Sequence, residues 1–212
     1  MLLDKEQPGT VANMDWRRDI SVTASIPGRY TLADHRSARG ERREFSCRAV
    51  NVSGTALVLA APVTGDLRER VIAHIDGLGR IEGAIIRNFS RGFAMSITAT
   101  EDERCKLLDR IEWIEKHKNH DASEQRAHGR FMPVNPYSRL MLADGTVMTC
   151  LVIDLSETGA AVSADLDPEI GTVCAVGTIV CRVIRRFVGG FAVRYVEPQD
   201  RRSVEALVIV ND

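Results

Sequence analysis

The chain has 212 residues, of which 44% are hydrophobic and 27% charged, with a net charge of −1. This length suits one large domain or two small ones, and the balanced charge predicts neither nucleic acid nor an anionic membrane as a partner. The N-terminus lacks the basic start and apolar run of a signal peptide, and no apolar stretch reaches the roughly 18 residues of a membrane span. We therefore expect a cytoplasmic protein without membrane insertion.

The cysteines and histidines predict no metal site. The five cysteines are odd in number and form no C-x-x-C pair, which argues against a disulfide framework and against zinc. We expect them to be reduced, with Cys47, Cys150 and Cys181 serving as small hydrophobic residues in strands. His117 and His120 form an H-x-x-H pair, but without a further ligand nearby a solvated connector is the better interpretation.

Short runs with alternating apolar and polar residues, such as 55–61 and 80–87, predict β-strands in the first half of the chain. Asp76-Gly77 marks a turn between two of them. Before these runs, several arginines are mixed with acids in a predicted hairpin loop, where we expect them to be solvated. These arginines are Arg36, Arg39, Arg42 and Arg43.

A helix is predicted after these strands. Thr100 and Glu103 have the spacing of a capping box, and an apolar face follows. That face consists of Leu107, Leu108, Ile111 and Ile114. The polar run 116–125 comes next and predicts a boundary between two domains.

The second half of the chain repeats the first. Residues 47–61 align with 150–164, and residues 85–97 align with 183–195 after a short insertion. The repeat ends in a second predicted helix, with Pro198 at its first position and Val204, Leu207 and Val208 on its apolar face. Each copy thus has strands first and a helix last, which predicts a mainly β protein of two tandem antiparallel barrels, each followed by a C-terminal α-helix.

A local cationic segment opens the second copy. Residues 125–143 contain Arg126, Arg130, Arg139 and His128 without any acid. Glycine and proline make a stable helix unfavourable there, so we predict a flexible arm. Guanidinium groups on such an arm can bind phosphate in a bidentate manner and stack on a purine. A solvated linker is the alternative interpretation.

The run Asp154-Leu-Ser156-Glu-Thr-Gly159 follows a predicted strand and has the composition of a tight polar turn. The Asp154 carboxylate could accept hydrogen bonds from the N–H groups of guanine. We expect Gly159 to permit a positive φ. Taken alone, this run also fits an ordinary turn.

Together, Arg126-Ala-His-Gly-Arg130 and Asp154-Leu-Ser156-Glu-Thr-Gly159 resemble the PilZ domain signature, R-x-x-x-R followed by [D/N]-x-S-x-x-G. The resemblance covers the second copy and implies a six-stranded barrel that binds c-di-GMP without a further cofactor. It implies that Arg126 and Arg130 clasp the phosphates and stack on guanine. By the same resemblance, Asp154 and Ser156 bind a guanine edge, and Gly159 shapes the loop.

The first copy resembles the barrel but departs from the motif. Trp16 and Ile20 align with the two arginines, and Ala56 aligns with Gly159. We therefore predict a degenerate PilZ-like domain at residues 14–118 and a ligand-binding one at 122–212. We expect residues 119–212 alone to bind nearly as well as the full chain.

The resemblance implies a receptor that relays c-di-GMP to an unidentified protein partner, in control of motility or exopolysaccharide. A ligand-independent structural adaptor is the alternative, and a homodimer stays open. An enzyme is disfavoured, because the sequence has no nucleophile and base at motif spacing and no phosphate-binding glycine loop.

Overall fold

A computed structural model describes residues 22–36, 40–117 and 129–209, which form two β-barrels and two helices. The ends predicted for the two domains, 14, 118, 122 and 212, lie outside these residues. The first unit consists of β1 (Val22–Arg36), β2 (Arg42–Val52), β3 (Ala56–Ala60), β4 (Arg70–Ile75), β5 (Gly79–Phe89), β6 (Gly92–Ser96) and α1 (Glu101–His117). The second consists of β7 (Tyr137–Leu142), β8 (Val147–Leu155), β9 (Gly159–Ser163), β10 (Val173–Val176), β11 (Ile179–Phe187), β12 (Gly190–Tyr195) and α2 (Val204–Val208).

Both barrels have the same topology. The strand order β1-β2-β3-β6-β5-β4 of the first is repeated as β7-β8-β9-β12-β11-β10 in the second, and each sheet is closed. All neighbouring strands are antiparallel, and β1 closes the first barrel by pairing with both β2 and β4. The predicted mainly β fold of two tandem six-stranded barrels is confirmed.

Each barrel has its own hydrophobic core. Tyr30, Phe45 and Phe93 pack together in the first, with the Tyr30 ring 5.6 Å from that of Phe45 and 5.4 Å from that of Phe93. Smaller residues fill the second core, including Cys150 and Cys181. All five cysteines are free, and Cys47, Cys150 and Cys181 are buried in strands as predicted. Burial raises the pKa of the Cys150 thiol to about 12.

Helix α1 forms as the sequence predicts. The Thr100 backbone N–H donates to Glu103 Oε2 at 2.8 Å, and the Glu103 N–H donates to Thr100 Oγ1 at 3.4 Å, which completes the capping box. Of the predicted apolar face, Leu107 and Ile111 are buried against the first barrel and Ile114 is partly buried, whereas Leu108 is 40% exposed. The helix therefore closes one end of this barrel.

Helix α2 begins later than predicted. Pro198 lies in the loop after β12, whereas the helix starts at Val204 and is one turn long. The reason is that the loop first crosses the rim of the barrel, where the Gln199 N–H donates to Glu157 O at 2.7 Å. Val204 and Val208 are buried as expected, while Leu207 is partly exposed.

The two barrels dock through equivalent strands of the repeat, β2 and β8. A small apolar cluster joins them; its members are Val50, Ala60, Tyr137, Leu151 and Ile153. The Ser46 N–H donates to Gly189 O at 3.0 Å at the edge of this contact. The interface thus combines apolar burial with backbone hydrogen bonds.

One predicted loop residue belongs to this interface. Arg36 and Arg42 pair at the base of the β1–β2 hairpin as expected, and Arg39 lies outside the described residues. The prediction that Arg43 is solvated is wrong, because its guanidinium forms an ion pair with Asp165 of the second barrel and lies over the Phe45 ring. Domain docking brings Asp165 to this position, which the local sequence does not encode.

Candidate ligand-binding site

The turn between β8 and β9 carries the second half of the sequence motif. The Ser156 N–H donates to Gly159 O at 2.9 Å, and Ser156 Oγ donates to the same oxygen at 3.1 Å. Both bonds tighten the turn and hold the Ser156 side chain at the barrel rim. Asp154 precedes the turn with its side chain partly exposed.

Gly159 serves this turn through its small size. The predicted positive φ is wrong, since Gly159 is not among the described glycines with that conformation. A Cβ at this position would instead lie 2.2 Å from Val193 O of β12. Gly159 is therefore required because the two backbones approach each other closely.

Arg130 is brought to the same rim by the backbone. Its neighbour Phe131 pairs with Leu155, with N–O distances of 2.9 and 2.8 Å for the two reciprocal hydrogen bonds. Arg130 Nη1 consequently lies 3.7 Å from Asp154 Oδ2, and 56% of the Arg130 side chain is exposed. Arg130 thus lies at the same place as Asp154, Ser156 and Gly159. Arg126 and His128 lie outside the described residues.

A cavity of about 130 Å³ opens between these groups. Its wall includes the predicted residues Arg130, Asp154, Ser156 and Gly159 together with Thr158, Ile184 and Arg194. Ile184 and Arg194 were not predicted as part of the site. The alternation of β12 did signal that Arg194 faces outward, and its pairing with Gly159 brings it next to the motif.

The described residues contain neither a metal-binding cluster nor a membrane-spanning helix. In 22–36, 40–117 and 129–209, no three His, Cys, Asp or Glu side chains are grouped to hold a metal ion. His117 stacks on Trp113 at the end of α1, and its predicted partner His120 lies outside the described residues. Within those same ranges, no helix is long and apolar enough to cross a membrane.

Residues 124–209 match the model of the family described as PilZ domain. The matched segment contains the whole motif and every residue that lines the cavity. The chain carries a PilZ domain. The first barrel lies outside the matched residues, and a comparison with curated protein sequences finds no match for the chain.

Solved structures similar to this chain have low identity. One is PlzA from Borreliella burgdorferi in complex with c-di-GMP, at 10% identity and a TM-score of 0.27, with 89% of this chain and 91% of that one covered. Another is the inhibitor of motility MotI from Bacillus subtilis, at 12% identity and a TM-score of 0.30. That match covers 88% of this chain and 94% of MotI. A third is YcgR from Escherichia coli in complex with c-di-GMP, at 12% identity and a TM-score of 0.26. That match covers 87% of this chain and 80% of YcgR. The PilZ assignment itself rests on the family-model match.

The first barrel has the same turn as the PilZ domain but covers it. Its Ser53 N–H donates to Ala56 O at 2.9 Å, as Ser156 does to Gly159. Arg104 of α1 donates to Gly54 O at 2.8 Å, and a Cβ on Gly54 would lie 3.2 Å from Leu108 Cδ2. Helix α1 therefore packs over the turn, whereas the equivalent Glu157 of the PilZ domain is exposed.

Proposed function

We propose that the PilZ domain binds c-di-GMP at the rim formed by Arg130, Asp154 and Ser156, with Arg126 as the second arginine of the motif. One observation carries this proposal. Arg130 and Asp154 lie side by side at the edge of a cavity, and the Arg130 side chain is largely exposed.

The chemistry of this pair matches the two parts of the ligand. A guanidinium can form a bidentate bond to a phosphate and stack on a purine, while a carboxylate can accept hydrogen bonds from the N–H groups of guanine. The 3.7 Å between Arg130 and Asp154 exceeds a hydrogen-bond distance. Each group thus retains hydrogen-bonding capacity for a ligand between or above them.

The size of the cavity limits how the ligand can sit. Its volume of about 130 Å³ is well below the roughly 300–1,000 Å³ of pockets that enclose a drug-sized ligand. We expect one guanine edge to enter the cavity while the phosphates remain on the rim. The arginine of the rim would then contact the phosphates from outside the barrel.

The downstream part of the proposal follows from the family resemblance. The PilZ domain would act as a receptor without chemistry of its own and would relay ligand binding to a protein partner, in control of motility or exopolysaccharide. A ligand-independent adaptor is the competing function. The two differ in whether c-di-GMP binds at all.

Calorimetric titration of the full chain with c-di-GMP tests the proposal. We expect saturable binding, and we expect Arg130→Ala to weaken it about ten- to a hundredfold, because a hydrogen bond to a charged group contributes about 1.5–3 kcal/mol. The matched control is Arg182→Ala, which removes an exposed arginine of the same barrel that bonds to Gly171 O. Absence of binding by the wild-type chain would favour the adaptor instead.

A further inference from the structure

Arg48 is a buried arginine at the contact between the barrels. It lies in β2, and only 3% of its surface is exposed. In the repeat it aligns with Leu151, an apolar residue of the same interface. A charge thus occupies a position where the second copy has leucine, and burying an arginine is costly unless its N–H groups are bonded.

The guanidinium of Arg48 bonds to backbone carbonyls of β8 and of the segment that precedes β7. Its Nη1 donates to Pro133 O at 2.7 Å, and its Nη2 lies 3.2 Å from Val152 O and 3.3 Å from Ile153 O. Within the described residues, its guanidinium forms no salt bridge, so backbone carbonyls alone satisfy the charge. Burial lowers the pKa of Arg48 relative to a solvated arginine.

These carbonyls belong to the two segments that carry the ligand-binding pair. Pro133 follows Arg130 by three residues, and Ile153 directly precedes Asp154. One guanidinium therefore bonds to the backbone of both the segment that carries Arg130 and the strand that leads to Asp154. The Phe131–Leu155 backbone pair and the hydrogen bond from the Val152 N–H to Pro136 O also join these two segments.

We propose that Arg48 of the first barrel is a positioning residue for the ligand site of the PilZ domain, holding the segments of Arg130 and Asp154 at the separation that binding requires. This inference rests on the proposed function. The first barrel lacks the motif, yet it would affect ligand affinity through this contact. Arg48 is not part of the signature motif. Arg48 itself is buried at the interface and acts only through these backbone contacts.

Calorimetry with c-di-GMP on the full-length Arg48→Met variant tests this role. We expect affinity to fall at least about tenfold, because a displaced Arg130 would lose a charge-assisted hydrogen bond to the ligand. A tenfold change corresponds to about 1.4 kcal/mol, near the lower end of what such a bond contributes. The matched control is Arg43→Met, which removes another arginine contact between the barrels, to Asp165, a residue that does not line the cavity. We expect that control to change affinity less than about twofold.

A double-mutant cycle separates positioning from general destabilisation. If Arg48 acts by positioning Arg130, its removal should cost little further affinity in an Arg130→Ala background, whereas independent effects would add. Additive losses would contradict the proposal, as would wild-type affinity in Arg48→Met. Absence of c-di-GMP binding by the wild-type chain would instead contradict the proposed function.

Amide hydrogen exchange of the wild-type chain tests the same role if the Arg48→Met variant does not fold. Binding and docking are linked, so c-di-GMP should strengthen the contact between the barrels. We expect saturating c-di-GMP to slow amide hydrogen exchange in residues 42–52, which include Ser46 and Arg48. Unchanged exchange in this segment, with slower exchange around Asp154, would show that the site does not depend on the first barrel.

Discussion

Arg130 and Asp154 occupy one rim, and under the proposed function they have different chemical tasks. Arg130 presents an exposed cation, suited to phosphate, and Asp154 presents a partly exposed acceptor, suited to the donor edge of guanine. Contacts to phosphate give affinity without base selectivity, whereas contacts to a base edge give selectivity. The two residues are therefore distinguishable by which property of binding each substitution changes.

Substitution of Asp154 should change base selectivity. We expect Asp154→Ala to weaken c-di-GMP binding about ten- to a hundredfold, since a matched side-chain contact to a base contributes roughly 1–3 kcal/mol of discrimination. Cyclic di-AMP should lose much less affinity, and the salt dependence of c-di-GMP binding should stay unchanged. Calorimetry with both nucleotides at several salt concentrations measures this. A changed salt dependence with intact base selectivity would show that Asp154 contacts the phosphates indirectly.

The sequence could predict the motif residues but not the interface arginines. Arg130, Asp154, Ser156 and Gly159 are recognisable because their types and spacing are local properties of the chain. Arg48 lies in the buried part of β2, and its partners become known only when the barrels are docked. The one available signal was that the repeat places Leu151 at the same position.

At the scale of elements, the strands and α1 were predictable because their signals are periodic. Alternating apolar residues and a capping box encode these elements within a few residues of chain. Helix α2 was misplaced because its start depends on how the loop after β12 crosses the rim, with Gln199 bonded to Glu157 O. That contact brings together residues far apart in sequence, so no local pattern predicts it.

The turn between β8 and β9 depends on the absence of a side chain at Gly159. We expect Gly159→Ala to lower the free energy of unfolding of the PilZ domain by about 1–3 kcal/mol, because its Cβ would clash with Val193 O at 2.2 Å. Thermal and denaturant unfolding of the full chain measure this. The matched control is Ala56→Gly at the equivalent position of the first barrel, which should cost at most about 1 kcal/mol. An unaffected Gly159→Ala variant would show that β12 moves away easily.

For the whole molecule, the two copies of the repeat keep one fold but differ in the surroundings of the equivalent turn. Both barrels retain the strand order and a closing helix, but α1 packs over the turn of the first barrel, where Arg104 bonds to Gly54 O. In the PilZ domain, the Gln199 N–H bonds to the equivalent carbonyl, Glu157 O, but Glu157 and Thr158 stay exposed beside the cavity. The docked strands β2 and β8 then bring Arg48 against the segments that carry Arg130 and Asp154. The first barrel can therefore support a site that it does not itself contain.

This arrangement gives a prediction for the separated halves of the chain. The sequence repeat alone predicts that residues 119–212 bind c-di-GMP nearly as well as the full chain. The Arg48 contacts predict instead that this fragment binds about tenfold more weakly, as expected for Arg48→Met. Residues 1–118 should not bind, because the aligned arginines are missing and α1 covers the turn. Calorimetry on both fragments, after circular dichroism has established that each is folded, distinguishes the two predictions. Equal affinity of a folded 119–212 fragment and the full chain would show that the PilZ domain positions Arg130 and Asp154 without help from the first barrel.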